Sequence, residues 1–333
     1  MRLARSIWIA LALAVLAAAP PAGAARRSHA APEAAAAPSA PPAPLGPCDS
    51  ECLGGLVDKA LNAMMDHDPS HAPLAPGFRY TENGQALQPG QGLWATASAI
   101  AISDDGLSNL GVVSSAYRLY FADPASGEAA YFGAFTEKGA PGMMMLRLKA
   151  VARQITEIET VVVRRDAVSK LDTKGFSQPE PTLLAGGERW APAIMTAAAN
   201  RYFDALQTGS TAGVPLGADC IRRDNGVTTT SAALGCAAQI DTGLFRGILR
   251  VRRRILVVDE DRGLVLAAAM IDHGVAPPPP KKRPKLKKGE VPPVQPAQST
   301  DLMGVVFKMS DGRITRIEAI ERPVANDAPL GWN

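Results

Sequence analysis

Two stretches of the chain carry the same alternation of apolar and polar residues: Gly142 to Arg164, "GMMMLRLKAVARQITEIETVVVR", and Asp301 to Pro323, "DLMGVVFKMSDGRITRIEAIERP". Each predicts an antiparallel hairpin, with Ile155, Ile158 and Val161 of the first answering to Ile314, Ile317 and Ile320 of the second. Alternation at a period of two is the mark of a strand with one covered face and one wet face. Earlier in each half the period changes. Leu53, Leu56, Val57, Ala60, Leu61, Met64 and Met65 recur at helical spacing, and so do Ile194, Met195, Ala198, Tyr202, Phe203 and Leu206, so each half is predicted to open on an amphipathic helix.

The intervening segments match as well. "PLAPGFRYTENG" (Pro73 to Gly84) answers to "PLGADCIRRDNG" (Pro215 to Gly226) at an offset of 142. "RLYFADPASGEAAYF" (Arg118 to Phe132) answers to "RILVVDEDRGLVLAA" (Arg254 to Ala268) at 136, with Asp123 to Gly127 and Asp259 to Gly263 as hairpin turns. At the last strand the offset is 159, so the first half has gained about six residues near "SDDGLSNLG" and the second 23 between paired strands. The pattern predicts a tandem duplication with domains at 48–166 and 186–324, a linker at 167–185 and a tail at 325–333.

A helix, a strand, turns and a long antiparallel meander ending in "DGRITRIE" resemble the nuclear transport factor 2-like superfamily, which includes the SnoaL-like proteins, and suggest a little-characterised group of exported proteins with paired domains of this type. The resemblance covers Cys48 to Asp166 and Gly186 to Val324. It implies an α+β fold: two cones, each a curved antiparallel sheet wrapped around its N-terminal helix and open to a pocket at one end. It also implies that the cones pair sheet to sheet within one chain, giving a monomer. It does not fix a reaction, because this cone serves isomerases, lyases, dehydratases, cyclases and non-catalytic modules.

The N-terminus bears on compartment. Arg2 and Arg5 precede the apolar run Ile7 to Ala19, and Ala22-Gly23-Ala24 supplies a small-residue cleavage site, so residues 1–24 read as a signal peptide and the protein as exported, periplasmic or secreted. The apolar run is shorter than the ~20 residues that span a bilayer. Residues 25–47 are rich in Ala and Pro with almost no large apolar side chain, the composition of a disordered leader. The four cysteines fall in close pairs, Cys48 with Cys52 and Cys220 with Cys236, and in an exported chain local disulfides are expected, although four cysteines allow three connectivities.

The formal charge of +3 misleads. Setting aside Arg2 and Arg5 leaves +1, and the Pro-rich insert at 274–298 carries +5, so the remainder stands at −4. That distribution, with 5% aromatic residues, does not match a nucleic-acid surface. The insert reads as a solvated, disordered loop, or as a weak contact with anionic envelope components.

Candidate chemistry is sparse. Tyr202 on the second helix and Asp224 after the strand that follows resemble the ketosteroid-isomerase-like branch, which implies a tyrosine hydrogen-bonded to a developing oxyanion and a carboxylate that shuttles a proton. Arg222 and Arg223 beside Asp224 would lower its pKa if close. In the first half Glu82 takes the place of Asp224, and Asn62 the place read for Tyr202, with Tyr80, Trp94, Tyr117, Tyr120 and Tyr131 as candidate pocket walls. His273, beside Asp272 at a strand end, is a candidate for the rim of a cone and titrates near neutrality. His67 and His71 have metal-ligand spacing only on a continuous helix, which Pro69 stops. No metal or cofactor is expected, and the expected partner is a small apolar or phenolic ligand. Two readings of different class stay open: a cofactor-independent proton-transfer enzyme of isomerase, lyase or dehydratase type, and a non-catalytic binding or scaffold module.

Overall fold

Asp49 caps the first helix, its carboxylate accepting from Cys52 N at 2.9 Å, and the buried side chains Leu53, Leu56, Val57, Ala60, Leu61 and Met64 give that helix one apolar face. The computed structural model describes residues 46–100, 117–166, 169–173, 175, 184–274, 298–326 and 328–331. The expected signal peptide, nearly all of the leader, the six-residue gain and all but the ends of the basic insert lie outside the described residues.

In chain order the elements are α1 (Ser50–Met65), β1 (Leu74–Glu82), β2 (Gln85–Leu87), α2 (Leu93–Thr96), β3 (Ala97–Ile100), β4 (Arg118–Asp123), β5 (Glu128–Glu137), β6 (Ala140–Val151) and β7 (Gln154–Arg164). The second half follows with α3 (Pro192–Thr208), β8 (Leu216–Asp224), β9 (Val227–Thr228), α4 (Cys236–Asp241), β10 (Ile248–Asp259), β11 (Leu264–His273), β12 (Ser299–Ser310) and β13 (Arg313–Val324). Proline at its start and Gly209, left-handed at φ 71°, delimit α3.

The fold is α+β with two mixed sheets. Among the described residues, the first has seven strands ordered β2-β1-β7-β6-β5-β3 with β4 also on β5, and the second has six ordered β10-β11-β12-β13-β8-β9. Each is antiparallel except for one parallel pair, β1 with β7 and β8 with β13. The halves agree in detail: the register shifts between Leu74 and Arg79 in one parallel pair and between Leu216 and Ile221 in the other. It shifts again after Lys149 in the first meander and after Lys308 in the second.

The helices correct one reading. Buried Leu53, Leu56, Val57, Ala60, Leu61, Ala63 and Met64 coincide at a constant offset of 142 with buried Met195, Ala198, Ala199, Tyr202, Phe203, Ala205 and Leu206. Ala60, and not Asn62, therefore stands where Tyr202 does. A helical pattern is tolerant of a two-residue slip when only some of its apolar positions are compared.

Each helix covers the inner face of its own sheet, giving two apolar cores. The outer faces meet in a third, where Leu119, Phe121, Phe132, Met143, Met145 and Val161 of the first sheet pack with Val257, Leu264, Leu266, Met270, Leu302 and Ile320 of the second. The expectation of a wet outer face is thus overturned: Leu264 to Asp272 of β11 are buried without a break. Charged groups cross the same seam in a near-reciprocal way. Arg254 of β10 grips Glu159 of β7 with bonds of 2.9 and 3.0 Å, and Tyr117 beside β4 donates to Glu318 of β13. Disulfides join Cys48 to Cys52 and Cys220 to Cys236, the latter tying β8 to α4, and no helix among the described residues is long and apolar enough to cross a membrane.

Phe132 is fully buried at this seam, its ring 6.0 Å from that of Tyr117. Phe132→Ala is expected to cost about 3–5 kcal/mol, read as a lower denaturation midpoint with the disulfides intact.

Candidate functional site

The pleat decides what faces the inside of the second half. On β13, Ile317 and Ala319 belong to the core beneath α3, so Glu321, two residues on, points to the same side. By the same alternation Arg222 and Asp224 follow Cys220 on β8, His273 follows Ile271 on β11, and Asp301 precedes Met303 on β12. Tyr202 reaches them from α3. Three of the four residues picked out in the sequence, Tyr202, Asp224 and His273, therefore share one inner surface with Arg222, Asp301 and Glu321.

The surface is graded in depth. Tyr202 and Arg222 are buried, Asp224 and Glu321 are partly covered, and the side chains of His273 and Asp301 are 35% and 27% exposed, forming a rim. Arg222 donates from Nε to Asp224 at 3.1 Å, lies 4.5 Å from the centre of the Phe245 ring, and abuts the Tyr202 hydroxyl. Arg223, by contrast, points to the outer face and bonds Glu318 at 3.1 Å. At the rim His273 Nε2 pairs with Asp301 at 2.9 Å, while Asp272 faces the other way to Arg250, Arg252 and Thr300.

Burial pushes the Tyr202 phenol up to about 12, with Arg222 pulling against it. Glu321 is raised to about 7, first by burial and then by the charge of Asp224, with Asp301 adding to it and Arg222 and His273 opposing. The hydrogen bond to Asp301 raises His273 above its ordinary value. A phenol that stays protonated, a fixed buried cation and a carboxyl that titrates near neutrality are thus gathered on one wall. Sequence reasoning passed over Glu321. Its available signal was the two-residue spacing from Ala319 and Ile317.

The first half places different groups at the matching positions: Ala60 for Tyr202, Tyr80 for Arg222, Val162 for Glu321, Gly142 for Asp301 and Glu137 for His273. Glu82 matches Asp224 but is fully engaged, accepting from Leu93 N at 2.6 Å, Arg164 Nη1 at 2.9 Å and the Tyr80 hydroxyl at 3.2 Å. Gly92 at φ 63° lets the chain pass so close to that carboxylate that a side chain there would collide with it and with Leu87. Trp94 fills the interior, fully buried, 5.8 Å from the Tyr80 ring and bonded to the Ala63 carbonyl at 3.0 Å. Of the candidate walls, Tyr120 and Tyr131 join this core and Tyr117 turns to the seam. His67 bonds the Trp94 carbonyl at 2.9 Å and His71 pairs with Asp66 and Asp68, so the two histidines do not converge.

A family model described as a domain of unknown function, DUF8021, matches residues 188–321, the half that holds this wall. Comparison with curated proteins gives no match. Among solved structures, the chain is similar to an LEH-like epoxide hydrolase from M. tuberculosis at 17% identity, over 39% of this chain and 84% of that one, with a TM-score of 0.28. It is similar to a protein assigned as a ketosteroid isomerase from Kribbella flavida at 12% identity, over 40% and 86%, with a TM-score of 0.26. An ntf2-like protein from Bacteroides fragilis is 8% identical over 84% of this chain and 99% of that one, with a TM-score of 0.17. Scores this low leave the chemistry to the geometry itself.

Glu321 holds its proton more tightly folded than unfolded, so its contribution to stability is complete below about pH 4.5 and is lost as the pH rises through about 7. Glu321→Gln removes that loss. The stability of the variant relative to wild type should rise by up to about 3 kcal/mol between pH 4 and pH 8, measured by denaturant titration at each pH.

Proposed function

We propose that the second half is the working one, and that its inner wall binds a small carbonyl-bearing molecule and moves a proton on it. The carrying observation is the convergence of Tyr202, Arg222, Asp224 and Glu321 beneath the His273–Asp301 rim. In this reading the Glu321 carboxylate takes a proton from the carbon next to the carbonyl, and the electron pair moves onto the carbonyl oxygen. Arg222 and the Tyr202 hydroxyl meet the resulting negative charge, and Glu321 returns the proton to the substrate at a second position. Asp224 balances Arg222 before substrate arrives. A carboxyl near neutrality is suited to both halves of this transfer, because each protonation state is populated at working pH.

The first half is then a structural partner, its interior taken up by Trp94 and its carboxylates by Arg164. We read both halves as nuclear transport factor 2-like cones produced by tandem duplication, supported by the coincident register shifts. Two disulfides fit an oxidising compartment and support export, and the covered outer faces support a monomer.

The test follows incorporation of solvent deuterium next to the carbonyl of a panel of hydrophobic and phenolic ketones by NMR. Wild-type protein should accelerate exchange for at least one ketone, Glu321→Gln should lower that rate by about 100-fold or more, and Glu82→Gln should leave it unchanged. Equal rates in wild type and Glu321→Gln would overturn the mechanism, and ligand binding without exchange would favour the non-catalytic module.

A further inference from the structure

A cleft of about 600 Å³ lies where the two halves meet, away from the wall just described. One side is the end of β1 and the turn to β2, with Glu82, Asn83, Gln85 and Leu87, together with Arg164 at the end of β7. The other is the end of β13 and the chain beyond it, with Arg322, Pro323, Val324, Ala325 and Ala328. The volume falls in the range of small-molecule sites. Its walls come from both halves, so it exists only in the intact chain.

The charges in the cleft are not equivalent. Arg164 is already committed, bonding Glu82 at 2.9 Å and Glu137 at 2.5 Å, and Glu82 is saturated by its three donors. Arg322 is not. Its Nε is buried without a hydrogen-bond partner, its Nη1 makes one long bond of 3.4 Å to the Val162 carbonyl, and among the described residues no carboxylate pairs with it. That Nε is out of reach from the cleft, but a guanidinium that lines a cleft with no carboxylate on its end nitrogens has geometry suited to two carboxylate oxygens. Around it stand Leu87, Pro323, Val324, Ala325 and Ala328, which offer apolar contact and no competing charge.

We propose that this cleft is a binding site for a small carboxylic acid with an apolar body, held by Arg322 through its carboxylate and by the Leu87, Val324 and Ala325 walls through its hydrocarbon. The site is separate from the Glu321 wall, because neighbouring residues on a strand face opposite sides of the sheet. Its ligand class follows from Arg322, the cation that no carboxylate among the described residues pairs with. A dianion would leave one charge facing Glu82, and a neutral ligand would leave the Arg322 charge unpaired.

The experiment is calorimetric titration of the disulfide-bonded protein with benzoate, benzamide and inorganic phosphate. Benzoate should bind with a dissociation constant of about 1 mM or tighter, and benzamide and phosphate at least tenfold more weakly. Arg322→Gln should weaken benzoate at least tenfold, and Arg322→Lys, which keeps the charge but not the fork, should weaken it less. Because the arginine stem also packs, a second variant is needed: Ala325→Trp, at an exposed position on the cleft wall, should block binding while the protein stays folded. No benzoate binding to the wild type, or binding in Arg322→Gln and Ala325→Trp equal to that of the wild type, would overturn the proposal. Benzamide binding as tightly as benzoate would remove the anionic requirement and overturn it as well. Phosphate binding as tightly as benzoate would overturn the apolar part of the ligand class.

Discussion

The contact on which the structure depends is the one between the outer faces of the two sheets. Either sheet alone would present Phe132, Met143, Met145 and Val161, or Leu264, Leu266, Met270 and Ile320, to water as one continuous apolar patch. A patch of that kind on a soluble chain is a site of association. Pairing within the chain resolves it and commits both outer faces to packing. Among the described residues, that leaves the inner faces and the rim where the halves meet as surfaces for chemistry. The crossing ion pair Arg254–Glu159 and the hydrogen bond from Tyr117 to Glu318 add little net energy, since burying their charges costs much of what they return. Their consequence is register: a slip at the seam would strand a buried charge.

Once both sheets are anchored in this way, the two interiors can diverge. The first is closed in the manner of an ordinary core. Trp94 occupies it, and the polar groups at its mouth, Glu82, Glu137 and Arg164, satisfy one another. The second carries a conflict of charge. Asp224, Glu321 and Asp301 look onto one buried guanidinium and one rim imidazole. Burial penalises each charge, and a cluster with excess carboxylates relieves the penalty by keeping a proton. Glu321, which lacks the direct bond to Arg222 that Asp224 has, is raised to about 7 by burial and by the charge of Asp224. A protein selected for stability alone has no use for such a group, and that is the physical reason to seek function in this half.

The period of two in the meanders made the strands legible, and offsets that hold within each segment made the likeness of the halves legible, because both depend on local spacing that packing cannot disguise. What the spacing could not tell was which faces were covered. "RITRIEAIERP" reads as one apolar and one wet face, yet Ile320 and Glu318 turn into the seam while Ile317, Ala319 and Glu321 turn inward, so both faces are dry from Ile317 to Ile320. Glu318 and Glu321 look alike in sequence and lie on opposite sides of the sheet. Tyr202 and Asp224 could be singled out because a helix tyrosine and a carboxylate after the next strand resemble the ketosteroid-isomerase-like branch, and His273 because it stands at a strand end. Arg322 could not, because an arginine near the end of a strand normally lies in solvent, and it is the chain beyond β13 that makes a cleft there.

The backbone beneath these sites is nearly the same in both halves. Asn225, left-handed at φ 49°, accepts from Glu321 N at 2.8 Å and donates to the Glu321 and Ser169 carbonyls at 2.9 and 2.8 Å. Asn83, at φ 53°, accepts from Val162 N at 2.8 Å at the matching place in the first half. Asparagine tolerates this conformation and carries both a donor and an acceptor, so one side chain can serve the turn and the neighbouring strand together. The bracket holds the strand end in the same position whether the residue above it is Glu321 or Val162. At this strand end the difference between a titrating wall and a filled core is therefore made by side chains on a common frame. For the same reason the pleat sends Glu321 and Arg322 to opposite faces from a single fixed strand end, and one short segment of β13 supplies the charged group of both proposed sites.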